Sequence, residues 1–138
     1  MDKVHGCSLR KHEILRKKLI ISHLFMSGQS VKGQFLRLVY ASVKRENFKF
    51  HEVPAILFTV GKKTVPSAVR RNRVKRMMRE AYRLEKHAVA MDLNRLHHDG
   101  LNERICIAFL YMGRRKTLPG LLVFREEIRG LIASMVFS

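Results

Sequence analysis

Arg70-Arg71-Asn72-Arg73-Val74-Lys75-Arg76-Met77-Met78-Arg79-Glu80-Ala81-Tyr82-Arg83 carries six arginines and one lysine against one acid, Glu80. On a helix turning about 100° per residue, Arg71, Asn72, Lys75, Arg76, Arg79 and Arg83 fall within an arc of roughly 140°. Val74, Met77, Met78, Ala81 and Leu84 fall on the opposite side. One side of this helix can therefore enter a core while the other presents a row of guanidinium groups. Such a row needs an extended polyanion to neutralise it, and nucleic acid is the obvious candidate.

The flanking sequence sets the frame for the helix. Ser67 is the expected N-cap, with Pro66 just ahead of it, so the helix is predicted from Ala68 to about His87. Lys86 and His87 would then suit the negative end of its dipole. The apolar run Ala55 to Val60, entered through Pro54, predicts a central strand, and Arg104 to Met112 predicts another. Two strands joined by one helix can lie parallel. Upstream, a helix is expected from Lys11 to Met26, ended by Ser27-Gly28, followed by a strand or strand pair from Val31 to Val43. In that stretch Leu36, Leu38 and Tyr40 alternate with Phe35, Arg37 and Val39, the period-two pattern of a strand. Lys44 to Glu52 and Asp92 to Asn102 read as polar loops, and Leu121 to Met135 as a closing helix after the Pro119-Gly120 turn. The fold class is α/β (α+β) in one domain spanning residues 1–138.

Composition narrows the function. The chain has 138 residues, 28 Lys+Arg and 11 Asp+Glu, a net charge of +17, and a hydrophobic fraction of 46%, enough for a core. Its pI is about 10.8. A domain this basic repels itself and is expected to work on something acidic. No apolar run reaches the roughly 20 residues that span a bilayer, and the short apolar stretch Leu19 to Met26 lacks a small-residue cleavage site after it. The expected compartment is the cytoplasm, with no membrane partner. Cys7 and Cys106 make neither a disulfide framework nor a metal motif, and His97-His98-Asp99 reads as a solvated loop. No metal site is expected. Glu80, Glu85 and Asp92 read as helix-surface or cap residues. Lys62 and Lys63, between a strand end and a helix N-terminus, extend the positive face. Arginine in place of lysine favours bidentate phosphate contacts and stacking on bases.

Val60-Gly61-Lys62-Lys63 followed by Arg-Asn-Arg-x-Lys-Arg-x-x-Arg over residues 71–79 and the flanking helix closely resembles the signature of the bacterial ribonuclease P protein subunit. Leu9-Arg10-Lys11, Phe25 and Gly28-Gln29-Ser30 are similar, more loosely, to that family's first helix and following turn. The chain departs from the family pattern at Gly61, where Ser or Ala is usual, and at Ile21, where a second aromatic is common.

The resemblance implies a two-layer sandwich of a four-stranded mixed sheet and about three helices, with a left-handed βαβ crossover where the general rule would give a right-handed one. It implies RNA binding through Lys62, Lys63, Arg70, Arg71, Asn72, Arg73, Lys75, Arg76, Arg79 and Arg83, with no catalytic residue on the protein. It implies a cleft between sheet and first helix for the single-stranded 5′ leader of precursor tRNA. Phe25 and Tyr40 are the candidates to line that cleft, either by stacking on bases or, for each, as core aromatics. The partners implied are ribonuclease P RNA and precursor tRNA, in a one-to-one complex with a monomeric protein. The reaction implied is endonucleolytic hydrolysis that removes the leader, with Mg2+ held by the RNA subunit and no cofactor on the protein. Two other readings use the same residues: a stand-alone nucleic-acid-binding module, and a protein-only nuclease. The second would need a carboxylate or His constellation that the sequence does not display.

Overall fold

The computed structural model describes residues 13–44, 54–96, 103–113 and 118–135. Chain order runs α1 (Lys18–Ser27), β1 (Gln29–Lys32), β2 (Leu36–Lys44), β3 (Ala55–Thr59), α2 (Ala68–Leu96), β4 (Glu103–Tyr111) and α3 (Leu121–Ala133). The four strands form one mixed sheet in the order β1-β2-β4-β3. β1 with β2 and β2 with β4 are antiparallel, and β3 with β4 is parallel, the two being joined through α2. Three helices on a four-stranded mixed sheet match the expected class.

Strand alternation divides the sheet into two faces. Leu36, Leu38, Tyr40, Ile56, Phe58, Ile107 and Phe109 face α2 and α3 and form the larger core with Val74, Met78, Ala81, Tyr82, Phe124, Ile128 and Ile132. Phe58 and Phe109 stack with ring centroids 5.8 Å apart, and the Tyr82 ring meets Phe58 at 6.0 Å. Such pairs add about 0.5–1.5 kcal/mol each beyond the area they bury, so they fix α2 on the sheet. Burial pushes the Tyr82 hydroxyl well above its ordinary pKa, with a smaller contribution from the nearby Glu13 charge. On the reverse face Val39, Val43, Ala55, Cys106 and Ala108 pack under Ile20 and Leu24 of α1 and Leu15 just ahead of it. Cys106 is a buried free thiol whose pKa burial pushes up to about 12. Cys7 and His97-His98-Asp99 lie outside the described residues.

Several boundaries differ from the sequence expectation. α1 starts at Lys18, because the preceding segment is extended: Ile14 bridges Ile56 in parallel and the Leu15 N–H donates to the Ile56 carbonyl at 2.8 Å. β3 is an edge strand of the sheet and not a central one. It reads as continuously apolar because helices cover both its faces and the 14–15 segment covers part of its free edge. α2 continues to Leu96, so Lys86 and His87 lie well inside it rather than at its C-terminal end.

Gly28 closes α1 where no side chain fits. Its N–H donates to the Leu24 carbonyl at 2.8 Å. A Cβ there would meet that carbonyl oxygen at 2.3 Å and the Tyr40 carbonyl oxygen at 3.0 Å. Gly28→Ala is expected to destabilise the protein by about 1–3 kcal/mol through forced backbone movement, measurable as a lower midpoint in urea unfolding.

Candidate nucleic-acid interface

The basic helix is capped as its sequence predicts: the Arg70 N–H donates to Ser67 Oγ at 3.3 Å. Its rotation about its own axis is less obvious. The buried residues are Val74, Met78, Ala81, Tyr82 and Glu85, whereas Met77 and Leu84 are only half-buried. The buried stripe is thus turned by roughly 50° from the one that apolar periodicity marks out. The cause is Glu85, which enters the packed face because α3 supplies its counter-charges. Arg125 Nε donates to Glu85 Oε2 at 2.6 Å, and Arg129 Nε lies 3.1 Å from Oε1. Glu85 is therefore an interhelical ion-pair residue and not a surface or cap residue.

This rotation reassigns the arginines. Arg70, Arg73, Arg76 and Arg79 are exposed, as is Asn72. Spaced three apart, the four arginines form one slanted ridge that climbs about 14 Å along the helix at about 1.5 Å per residue. Lys75 is half-buried beside it. Among the described residues, Arg73, Lys75, Arg76 and Arg79 have no carboxylate within ion-pair distance.

Arg71 and Arg83 of the expected set use their guanidinium groups for hydrogen bonds within the protein. Arg71, half-buried, donates from Nη1 to the carbonyls of Val65 at 2.9 Å and Pro66 at 2.8 Å, which locks the turn ahead of the helix. Arg83 donates from Nε to Glu80 Oε2 at 3.0 Å and makes a second contact through Nη2. That hydrogen bonding holds the Glu80 carboxyl below its ordinary pKa.

Lys62 and Lys63 are exposed in the turn between β3 and α2, which is closed by the Val65 N–H donating to the Gly61 carbonyl at 3.0 Å. A Cβ at Gly61 would make only an ordinary contact with Thr64 Oγ1 at 3.6 Å, so this turn would also take Ser or Ala.

The two aromatics expected in the cleft separate. Phe25 is 42% exposed on α1, one turn beyond Ile21, which packs against the reverse-face core. Tyr40 is 3% exposed and belongs to the core under α2 and α3. Its hydroxyl donates to Gln29 Oε1 at 2.9 Å. Tyr40 shares strand parity with Leu36 and Leu38, so it faces away from α1 and cannot line a cleft between α1 and the sheet. Among the described residues, no group of three or more His, Cys, Asp or Glu is placed to hold a metal ion, and no helix is long and apolar enough to cross a membrane.

Fold and surface together define a small α/β protein built around a polycationic helix that crosses between parallel strands. Comparison with known proteins gives that class a name. The family profile described as Ribonuclease P matches residues 9–104. The ribonuclease P protein component of Chlorobium phaeobacteroides is 44% identical over 140 residues, covering 100% of this chain and 94% of the relative. That of Chlorobaculum tepidum is 44% identical over 134 residues, covering 94% of this chain and 83% of the relative. The fold is shared with the RNase P protein from Thermotoga maritima, at a TM-score of 0.62 and 20% identity over 89% of this chain and 97% of that one. A second likeness is the Staphylococcus aureus RNase P protein, with a TM-score of 0.58 and 16% identity over 87% and 92% of the two chains. The chain belongs to the ribonuclease P protein component family.

Proposed function

We propose that this protein is the RNA-binding subunit of a ribonuclease P, working with a catalytic RNA to remove the 5′ leader of precursor tRNA. The observation that carries this reading is the exposed ridge Arg70–Arg73–Arg76–Arg79 beside the Lys62-Lys63 turn. Guanidinium groups in a fixed row suit successive phosphates of a folded RNA, and bidentate geometry makes each contact stronger than a lysine's. Asn72, within the ridge, adds a neutral donor and acceptor for a base or sugar. In this reading ribonuclease P RNA occupies the α2 ridge, in a one-to-one complex with a monomeric protein. The leader lies between α1 and the sheet, and the Mg2+ ions that activate water for phosphodiester hydrolysis belong to the RNA. The protein raises affinity for substrate and metal and acts in the cytoplasm.

Phe25 is the aromatic available to stack on a leader base, a contact worth about 1–3 kcal/mol. Measured on the holoenzyme, Phe25→Ala is expected to weaken binding of leader-bearing precursor about tenfold, with mature tRNA unaffected. Equal losses on both substrates would give Phe25 a structural role and remove it from the cleft. A stand-alone binding module would show no preference for leader-bearing RNA with or without Phe25.

A further inference from the structure

One transverse row of the sheet carries two cations, Lys32 and Arg37, where the row beside it on the same face, Ser30, Val39, Ala108 and Leu57, carries none. Through the strand register, Lys32 faces Arg37, Arg37 faces Leu110, and Leu110 faces Thr59. Strands about 4.8 Å apart make this row about 14 Å wide. By strand parity it lies on the α1 side of the sheet, two residues along β2 from Val39, and α1 covers the lower rows through Val39, Val43, Ala55 and Cys106. Lys32 and Arg37 are exposed, and Leu110 and Thr59 are half-exposed. Among the described residues neither cation has a carboxylate at ion-pair distance, and the Arg37 Nη2 reaches only Ser30 Oγ, at 3.4 Å. The far end of the row leads directly into Lys62 and Lys63.

The turn that carries these two cations is held from behind. Glu127 of α3, on the opposite side of the sheet, accepts four hydrogen bonds from three consecutive amides. Gln34 and Phe35 donate to Oε1 at 2.8 and 3.0 Å, and Phe35 and Leu36 donate to Oε2 at 3.0 and 2.6 Å. Charge-assisted bonds to consecutive N–H groups fix backbone direction more firmly than neutral ones. Gly33 permits the approach, since a Cβ there would lie 2.9 Å from Glu127 Cδ. Lys32 and Arg37 flank the clamped tripeptide by two residues and one.

We propose that Lys32 and Arg37 form a second cationic wall that binds phosphates of the single-stranded 5′ leader, with Glu127 as the positioning residue that holds this wall opposite Lys62 and Lys63. This rests on the functional reading above and names the part of the sheet that the leader crosses. The half-exposed Leu110 and Thr59 offer an uncharged floor between two basic margins. That suits a single strand whose phosphates lie outside its bases.

The test is equilibrium binding of the holoenzyme to precursor tRNA with a leader and to mature tRNA, over a salt series. Lys32→Ala with Arg37→Ala is expected to weaken leader-bearing precursor at least tenfold and to flatten its salt slope by about 1.4, two contacts at about 0.7 each on a single strand. Mature tRNA and ribonuclease P RNA should bind as before. Glu127→Gln, which places an amide among those donors, is expected to reproduce the leader-specific loss while its affinity for ribonuclease P RNA stays intact. An unchanged slope in the double variant, or equal losses on both substrates, would overturn the assignment of the wall. A wild-type holoenzyme with no preference for a leader would instead remove the functional reading beneath it.

Discussion

Replacing Arg73, Arg76 and Arg79 together by Ala is expected to weaken binding of ribonuclease P RNA by about a thousandfold. Each is exposed and lies on one side of α2, and none has a carboxylate partner among the described residues. A hydrogen bond to a charged group contributes about 1.5–3 kcal/mol, and the lower end of that range already corresponds to about tenfold per residue. The salt dependence is the sharper readout. Three lost phosphate contacts should flatten the slope of log K against log salt by about 2–3. Arg71→Ala is the internal contrast. Its guanidinium is hydrogen-bonded to the Val65 and Pro66 carbonyls, so its loss should lower the melting temperature while flattening the slope less than any one ridge arginine. Circular dichroism melts beside filter-binding titrations separate the two effects. A triple variant with an unchanged slope would move the RNA off this ridge.

The second large effect is expected in stability. Glu13 and Lys86 form an ion pair at 2.6 Å, with side chains only 3% and 17% exposed. It joins the extended segment ahead of α1 to the middle of α2. Among the described residues Glu13 Oε2 has no hydrogen-bond partner, so the desolvation of this carboxylate is offset chiefly through Oε1. Removing one member of a buried pair strands the other, at about 3–5 kcal/mol. Lys86→Met keeps the apolar stem and removes the charge. It should destabilise the protein by about 3 kcal/mol, or roughly 10 °C in melting temperature for a chain of this size. Adding Glu13→Gln should recover much of the loss, because a neutral amide is cheaper to bury than an unpaired carboxylate. A single variant that melts within about 2 °C of wild type would mean that the carboxylate finds water or another cation.

What could be read from the residues, and what could not, follows from the range of the interactions involved. The arginine helix was legible because its N-cap, its charge and its apolar period are all local. Its exact rotation was not, because the acid that turns the buried stripe, Glu85, is neutralised by Arg125 and Arg129 from a helix 40 residues away in sequence. The parity of β2 was equally plain: Tyr40 alternates in step with Leu36 and Leu38. That parity does not say which side of the sheet α1 will cover, and the motif resemblance alone placed Tyr40 in the cleft. Ala55 to Val60 read as a central strand because burial on both faces erases alternation, which an edge strand packed between helices also achieves. The cationic row through Lys32 and Arg37 left no local signal at all. Those two residues come to share a row with Thr59, at the end of the strand that leads to Lys62 and Lys63, only through the sheet register, and the hairpin that presents them is fastened by a carboxylate some 90 residues downstream.

The most direct measurement is cleavage of a precursor tRNA by the cognate ribonuclease P RNA at low magnesium, with and without this protein. The account predicts strong stimulation by the protein and a product with the correct mature 5′ end. Tight RNA binding with no stimulation would contradict it, leaving a basic module that shares the family's fold and motif without its work.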